Sequence, residues 1–220
     1  MAPPRLLIPP KPTWRGVSHQ WGFVVAAAAG VILVLVAHTP TARIAAGIYG
    51  ISLCAMLGAS ALYHRVDWSP RCDSVARRVD HSMIFVFVAG SYTPFALLVL
   101  HGPLATGLLI AVWVAAGTGA AVTSAWTNAP TWLRSTLYIA LGWAAVIAAP
   151  QIESTVGVGA LILLALGGLC YTLGAVVYVR QSPDPVPHAF GYHEVFHAFV
   201  VAAAVLHFVA IAGYAMPAAG

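Results

Sequence analysis

Seven long apolar blocks, separated by short polar breaks, make up most of this chain. They run Trp21–Ala37, Ile44–Tyr63, Val79–Leu100, Leu104–Trp126, Ser135–Pro150, Val156–Val179 and Val195–Ala215. The apolar residues are continuous within each block and do not fall into the one-sided stripe of an amphipathic helix. About 20 apolar residues carry a helix across the hydrocarbon core of a bilayer, so each block predicts a span. The fifth is the shortest and its edges are the least defined. The breaks carry turn chemistry: His38-Thr39-Pro40-Thr41, Trp68-Ser69-Pro70-Arg71, His101-Gly102-Pro103, Asn128-Ala129-Pro130 and Ser182-Pro183-Asp184-Pro185. The pattern predicts an all-α integral membrane protein, a seven-transmembrane helix bundle.

Composition agrees with that reading. The chain of 220 residues is 60% hydrophobic and only 7% charged, against about 25% charged in a typical soluble domain. The distribution of Lys and Arg then orients the spans. Alternate ends collect Arg5, Lys11, Arg15, Arg65, Arg71, Arg77, Arg78, Arg134 and Arg180, and the opposite ends hold Arg43 alone. By the positive-inside rule the N-terminus is expected in the cytoplasm and the C-terminus outside. The net charge of +4 is explained by topology and does not point to nucleic acid. Cys54, Cys72 and Cys170 are odd in number and widely spaced, and they form no CxxC motif. A cleaved signal peptide competes for residues 1–42, but the long, proline-rich leader speaks against it. The expected organisation is a cytoplasmic arm over residues 1–20 and a seven-helix domain over 21–216. The longest polar segments are that arm and a loop from Arg65 to Arg78.

Ionisable groups within spans are costly and suggest function. His64 ends the second block, Asp80 opens the third, and His193, Glu194 and His197 open the seventh. Alternating topology brings all of them to the cytoplasmic end, at one depth. His193 and His197, four residues apart, share a helix face at about 40° and 6 Å. Ser60 lies one turn before His64. Three histidines with a fourth position open to water form a catalytic zinc arrangement, in which the bound water reaches a pKa near 7. Asp80 would then orient that water and shuttle its proton, with Ser60 as a further hydrogen-bonding partner.

Other readings of the same residues remain open. His64 could bond a neighbouring helix, and Asp80 could pair with Arg77 or Arg78 or favour a helix N-terminus. His193-Glu194-Val195-Phe196-His197 also matches the metalloprotease pattern H-E-x-x-H, with Glu194 as base. His81, His188 and His101 read as loop or interface residues. His207, about 21 Å beyond His193 along the same helix, could line a cavity or make a helix-packing hydrogen bond. Pro94 predicts a kink in the third span. Gly167-Gly168 and Gly117-Thr118-Gly119 suit close helix packing.

Several stretches resemble bacterial haemolysin III proteins, the bacterial branch of the progestin and adipoQ receptor family. They are Ser60-Ala61-Leu62-Tyr63-His64-Arg65, Asp80-His81-Ser82-Met83-Ile84-Phe85, Ala89-Gly90-Ser91-Tyr92-Thr93-Pro94-Phe95 and the run Pro187 to His197. The likeness extends from Arg15-Gly16-Val17-Ser18-His19 to the last span. It implies a seven-helix bundle with a cytoplasmic N-terminus and a zinc near the inner leaflet, held by His64, His193 and His197. It also implies that Asp80 and Ser60 contact the zinc-bound water. The family's HxxxH motif does not require the glutamate, which weakens the metalloprotease reading.

Three functions follow as expectations. The first, implied by the resemblance because the wider superfamily contains alkaline ceramidases and lipid-remodelling enzymes, is a zinc-dependent hydrolase of a lipid amide or ester whose substrate enters from the bilayer. The second is a receptor-like membrane-homeostasis factor with structural zinc. The third is a pore-forming haemolysin, which the chain's apolar character disfavours, since it could not travel through water unaided. The expected partners are membrane lipids, not nucleic acid, and the expected location is a bacterial inner membrane.

Overall fold

A computed structural model describes residues 11–126 and 128–219. They form helices joined by short loops, with one isolated antiparallel bridge between Val186 and Phe190. Among them are α1 (Val17–Leu35), α2 (Pro40–Arg65), α3 (Pro70–Leu98) and α4 (Gly102–Ala125). The fifth span is composite: α5 (Thr131–Trp143), a 3₁₀ turn (Ala144–Ala148) and α6 (Ala149–Val156). α7 (Val158–Arg180) and α8 (Tyr192–Ala210) follow, and α8 ends in a π-helical turn (Ile211–Ala215). Seven of these stretches are long and apolar enough to cross a membrane. The predicted seven-helix architecture holds.

The prolines in the breaks start helices. Pro40, Pro70 and Pro103 each occupy a first-turn position, where a missing N–H costs nothing. Thr39 caps α2 by accepting a hydrogen bond from the Ala42 amide at 3.2 Å. α3 differs most from expectation. It begins at Pro70, so Arg71 to Arg78 form helix and not loop, and the true loop is Val66–Ser69. A helix needs backbone hydrogen bonds and not apolar side chains, so it continues beyond the apolar block. The fifth span likewise runs past both edges of Ser135–Pro150, because Pro150 sits in the first turn of α6 and does not end the span. α1 starts at Val17, four residues before its apolar block, and the first ten residues of the expected arm lie outside the described residues.

Successive helices α1 to α4 pack as neighbours. The fifth span lies between α4 and α7, and α8 lies between α7 and α1, closing the ring. Small residues fill the interior: Ala45, Ala46, Ala89, Ala203 and Ala210 have no exposed surface. Gly30 and Gly50 let α1 and α2 touch, since a Cβ on either would lie 3.3 Å from the other's Cα. Of the predicted small-residue contacts, Gly167 meets the His207 ring, Gly168 meets Trp143 and Gly119 meets Phe85, whereas Gly117 faces open space. Large apolar side chains point outward: Leu35 is 74% and Ile51 73% exposed. So apolar an exterior calls for lipid around it.

α5 is loosely held, packing chiefly on α7. Its break into a 3₁₀ turn leaves carbonyls without helical donors. The Tyr92 hydroxyl on α3 donates to two of them, Leu141 O at 2.7 Å and Gly142 O at 2.8 Å. This loose packing leaves a cavity of about 410 Å³ between α3, the fifth span, α7 and α8.

Candidate metal centre

Spans alternate in direction, so the N-terminal ends of α1, α3, α5 and α8 meet the C-terminal ends of α2, α4 and α7. All the basic residues from Lys11 to Arg180 except Arg43 gather at this end of the bundle. His64 ends α2 there, and His193 and His197 occupy successive turns at the start of α8. One ring nitrogen from each lies within 4.8 Å of the others. His64 Nε2 and His193 Nε2 are 3.1 Å apart. His64 and His197 are buried, and His193 is half-buried.

Asp80 completes the cluster, with Oδ2 4.0 Å from His64 Nε2. It lies about three turns inside α3, not at the helix start, so the helix-terminus reading fails. Among the described residues it makes no ion pair with Arg77 or Arg78. Ser60 is buried one turn before His64, and it lines the large cavity together with Asp80.

Three imidazoles converging under burial suit a borderline metal such as zinc. The His197 ring is not fully satisfied by the described protein groups. Its Nδ1 is buried and has no hydrogen-bond partner among the described residues, and an orphaned buried nitrogen is costly unless something binds it. The residues present therefore fit a metal ion.

The sequence did not disclose two features of the site. His19, in the first turn of α1, is 2% exposed and stacks on His197 with ring centroids 3.8 Å apart and planes 10° apart. It was legible only as part of the Arg15-to-His19 stretch, which carried no role. The second is an ion pair between Arg15 and the buried Glu194. The other Glu194 oxygen accepts from the Gly191 amide at 2.8 Å, capping α8. Both carboxylate oxygens are thus engaged in structure, which argues against Glu194 as a metalloprotease base.

The arm around Arg15 folds across this end as a strap. Thr13 and Trp14 donate backbone hydrogen bonds to His188 O and Ala189 O in the loop before α8. Lys11 reaches Val66 O and pairs with Asp67 in the loop after α2. Gly16 turns the strap into α1 with φ of 76°, and a Cβ there would sit 2.7 Å from the His64 Cβ.

His81 lies on α3, half-buried against the cavity, and not in a loop. His188 and His101 are exposed loop residues. His207 does both things expected of it: it lines the cavity, and its Nε2 lies 3.3 Å from Leu164 O on α7.

The sequence has counterparts among known proteins. The family model for haemolysin-III related proteins matches residues 8–208. The chain belongs to the haemolysin-III family. It is 30% identical to Hemolysin-3 of Bacillus cereus over 93% of this chain and 92% of that protein. It is 27% identical to the Hemolysin-3 homolog of Bacillus subtilis, over 91% and 92%. The family likeness reaches mammals: the human monocyte to macrophage differentiation factor is 29% identical over 90% of this chain and 81% of its own length. With seven apolar helices and this membership, the chain is a multi-pass integral membrane protein.

Proposed function

We propose that this haemolysin-III member is a zinc-dependent hydrolase of a lipid amide or ester, sited in a bacterial inner membrane with its basic end in the cytoplasm. The observation that carries the reading is the junction of two environments. Buried His64 and His197, half-buried His193 and Asp80 stand at one end of an apolar cavity lined by Met56, Phe87, Phe95, Ile152 and Val200. A water-reacting centre meets a space built for hydrocarbon.

His64, His193 and His197 would hold the zinc. When bound, zinc supplies Lewis acidity, polarising a carbonyl and acidifying water. Asp80, with Oδ2 4.0 Å from His64 Nε2, would take a proton from the attacking water and deliver it to the leaving group. Ser60, beside it in the cavity wall, orients by hydrogen bonding. The apolar walls grip the acyl chain and keep bulk water out, which strengthens every polar interaction at the junction.

Metal analysis of wild type and His193→Ala, beside turnover by Asp80→Ala, tests the reading. Wild type should carry about one zinc per chain, as three-histidine sites do, and His193→Ala should lose it. Asp80→Ala should keep metal and lose turnover of acyl substrates. Metal-loaded wild type that cleaves no amide or ester lipid in a broad screen would overturn it.

One observation favours the second reading, a membrane-homeostasis factor with structural zinc. α2 and α8 are not major packing partners, so a metal shared by His64 and the α8 histidines would tie them together. On that reading the membrane phenotype survives Asp80→Ala. The haemolysin reading has the relatives' name behind it, and dose-dependent erythrocyte lysis by purified protein would support it.

A further inference from the structure

On the basic side of the histidines lies a second, polar cavity of about 330 Å³. It is lined by Lys11, Arg15, Arg77 and Arg134 with Asp73 and Asp80, and by Tyr63, His64 and His193 among others. Two of its cations are spent, Lys11 on Asp67 and Arg15 on Glu194. Arg77 and Arg134 make no ion pair among the described residues, and Arg134 makes no side-chain hydrogen bond among them either. Asp73 also faces this mouth and pairs with neither.

Arg134 is the informative one. It lines both cavities, as do Asp80, His81, Thr131, Tyr178 and His193. A half-buried guanidinium with no ion-pair partner among the described residues, at the rim of an apolar chamber, bears a desolvation cost that a ligand's negative charge would offset. Thr131 brings the N-terminal end of α5 to the same rim, where a helix carries partial positive charge. Beyond the rim the apolar chamber runs from Asp80 to Phe95 along α3, about 23 Å at 1.5 Å per residue. That is most of the roughly 30 Å hydrocarbon thickness, in a volume of about 410 Å³. The chamber suits one long chain.

We infer that the substrate is a single acyl chain joined through an amide or ester to an anionic head, a phosphate or carboxylate, with Arg134 binding that head. This rests on the hydrolase reading and adds the substrate class. The chain lies in the apolar chamber, the carbonyl at the histidines and Asp80, and the head in the polar mouth. Hydrolysis consumes one water. Its oxygen bonds to the carbonyl carbon, the bond from that carbon to nitrogen or oxygen breaks, and the departing atom takes a proton. The products are a fatty acid and an anionic amine or alcohol.

Equilibrium binding to the full chain in nanodiscs tests this with hexadecyl phosphate, which has no acyl bond to cleave. Hexadecanol, hexadecyltrimethylammonium and inorganic phosphate serve as comparators. Hexadecyl phosphate should bind saturably, and hexadecanol about tenfold more weakly or worse, the scale of a lost charge-assisted hydrogen bond. Inorganic phosphate should not displace it. Arg134→Gln should lose a similar factor, Arg134→Lys should retain most of the binding, and Arg180→Gln, an exposed cation at the same end, should change nothing. Ala145→Trp, which fills the apolar chamber, should also abolish binding; should Arg134→Gln fail to fold, the contrast of hexadecyl phosphate with hexadecanol on wild type carries the head-group test. Equal binding of alcohol and phosphate, or equal effects of Arg134→Gln and Arg180→Gln, overturns the head-group assignment. Displacement by inorganic phosphate overturns the acyl chamber. Saturable hexadecyl phosphate binding with no turnover of N-oleoylglycine or of any other amide or ester lipid in the broad screen would instead remove the hydrolase reading and leave the anion site standing.

Discussion

At the scale of single residues, two positions near the histidines are fixed by geometry. Gly16 needs its left-handed backbone and also the absence of a Cβ beside His64. Gly16→Ala should cost about 1–2 kcal/mol from the backbone alone, with more from the displaced His64. Thermal unfolding in detergent should show the loss, and metal analysis should show less metal held at the three histidines. Glu194 offers a sharper discrimination. Glu194→Ala strands Arg15 and uncaps α8, and breaking a buried pair this way costs about 3–5 kcal/mol. Glu194→Gln keeps an acceptor for the Gly191 amide and should be milder. If Glu194 is purely structural, Glu194→Gln retains most turnover per folded molecule. A metalloprotease base would lose nearly all of it, so comparing the two variants' specific activity and unfolding temperature separates the roles.

At the scale of elements, the cavity exists because the fifth span is broken and loosely packed. Tyr92 ties α3 to the break, donating to Leu141 O and Gly142 O. Tyr92→Phe leaves those carbonyls short of a donor in an apolar setting, at a cost of about 1–3 kcal/mol. The effect should be local. Hydrogen exchange should speed over residues 141–148, with little change in α2; on the proposed hydrolase function, acyl turnover should also fall as the chamber wall loosens. Apolar runs located this span but misjudged its extent. Ser135–Pro150 was bounded by a proline that in fact begins α6. The apolar block of α3 begins late for the opposite reason: the first turns of the helix carry Arg71, Asp73, Arg77 and Arg78, and hydropathy does not detect a polar helical extension.

At the scale of the whole molecule, alternation of spans sufficed to bring His64, Asp80, His193 and His197 to one end, and helical period sufficed to pair the two α8 histidines. What could not be read was how faces of distant helices meet. The His19–His197 stack and the Arg15–Glu194 pair join α1 and its strap to α8, across nearly the full length of the chain, and no local spacing encodes such contacts. They converge on a region where α2 and α8 pack little against each other directly. A metal on His64, His193 and His197 would therefore act as a clasp. Because binding to the native state alone adds about 2.7 kcal/mol at a hundredfold excess over Kd, removing the metal should lower the unfolding temperature. Zinc added back should restore it. The His193→Ala variant should unfold at the same temperature with or without chelator. Arg134→Gln should respond to chelator as wild type does, since it leaves the three ligands intact. A chelator shift that persists in His193→Ala would place the stabilising metal elsewhere and undo the assignment of all three histidines.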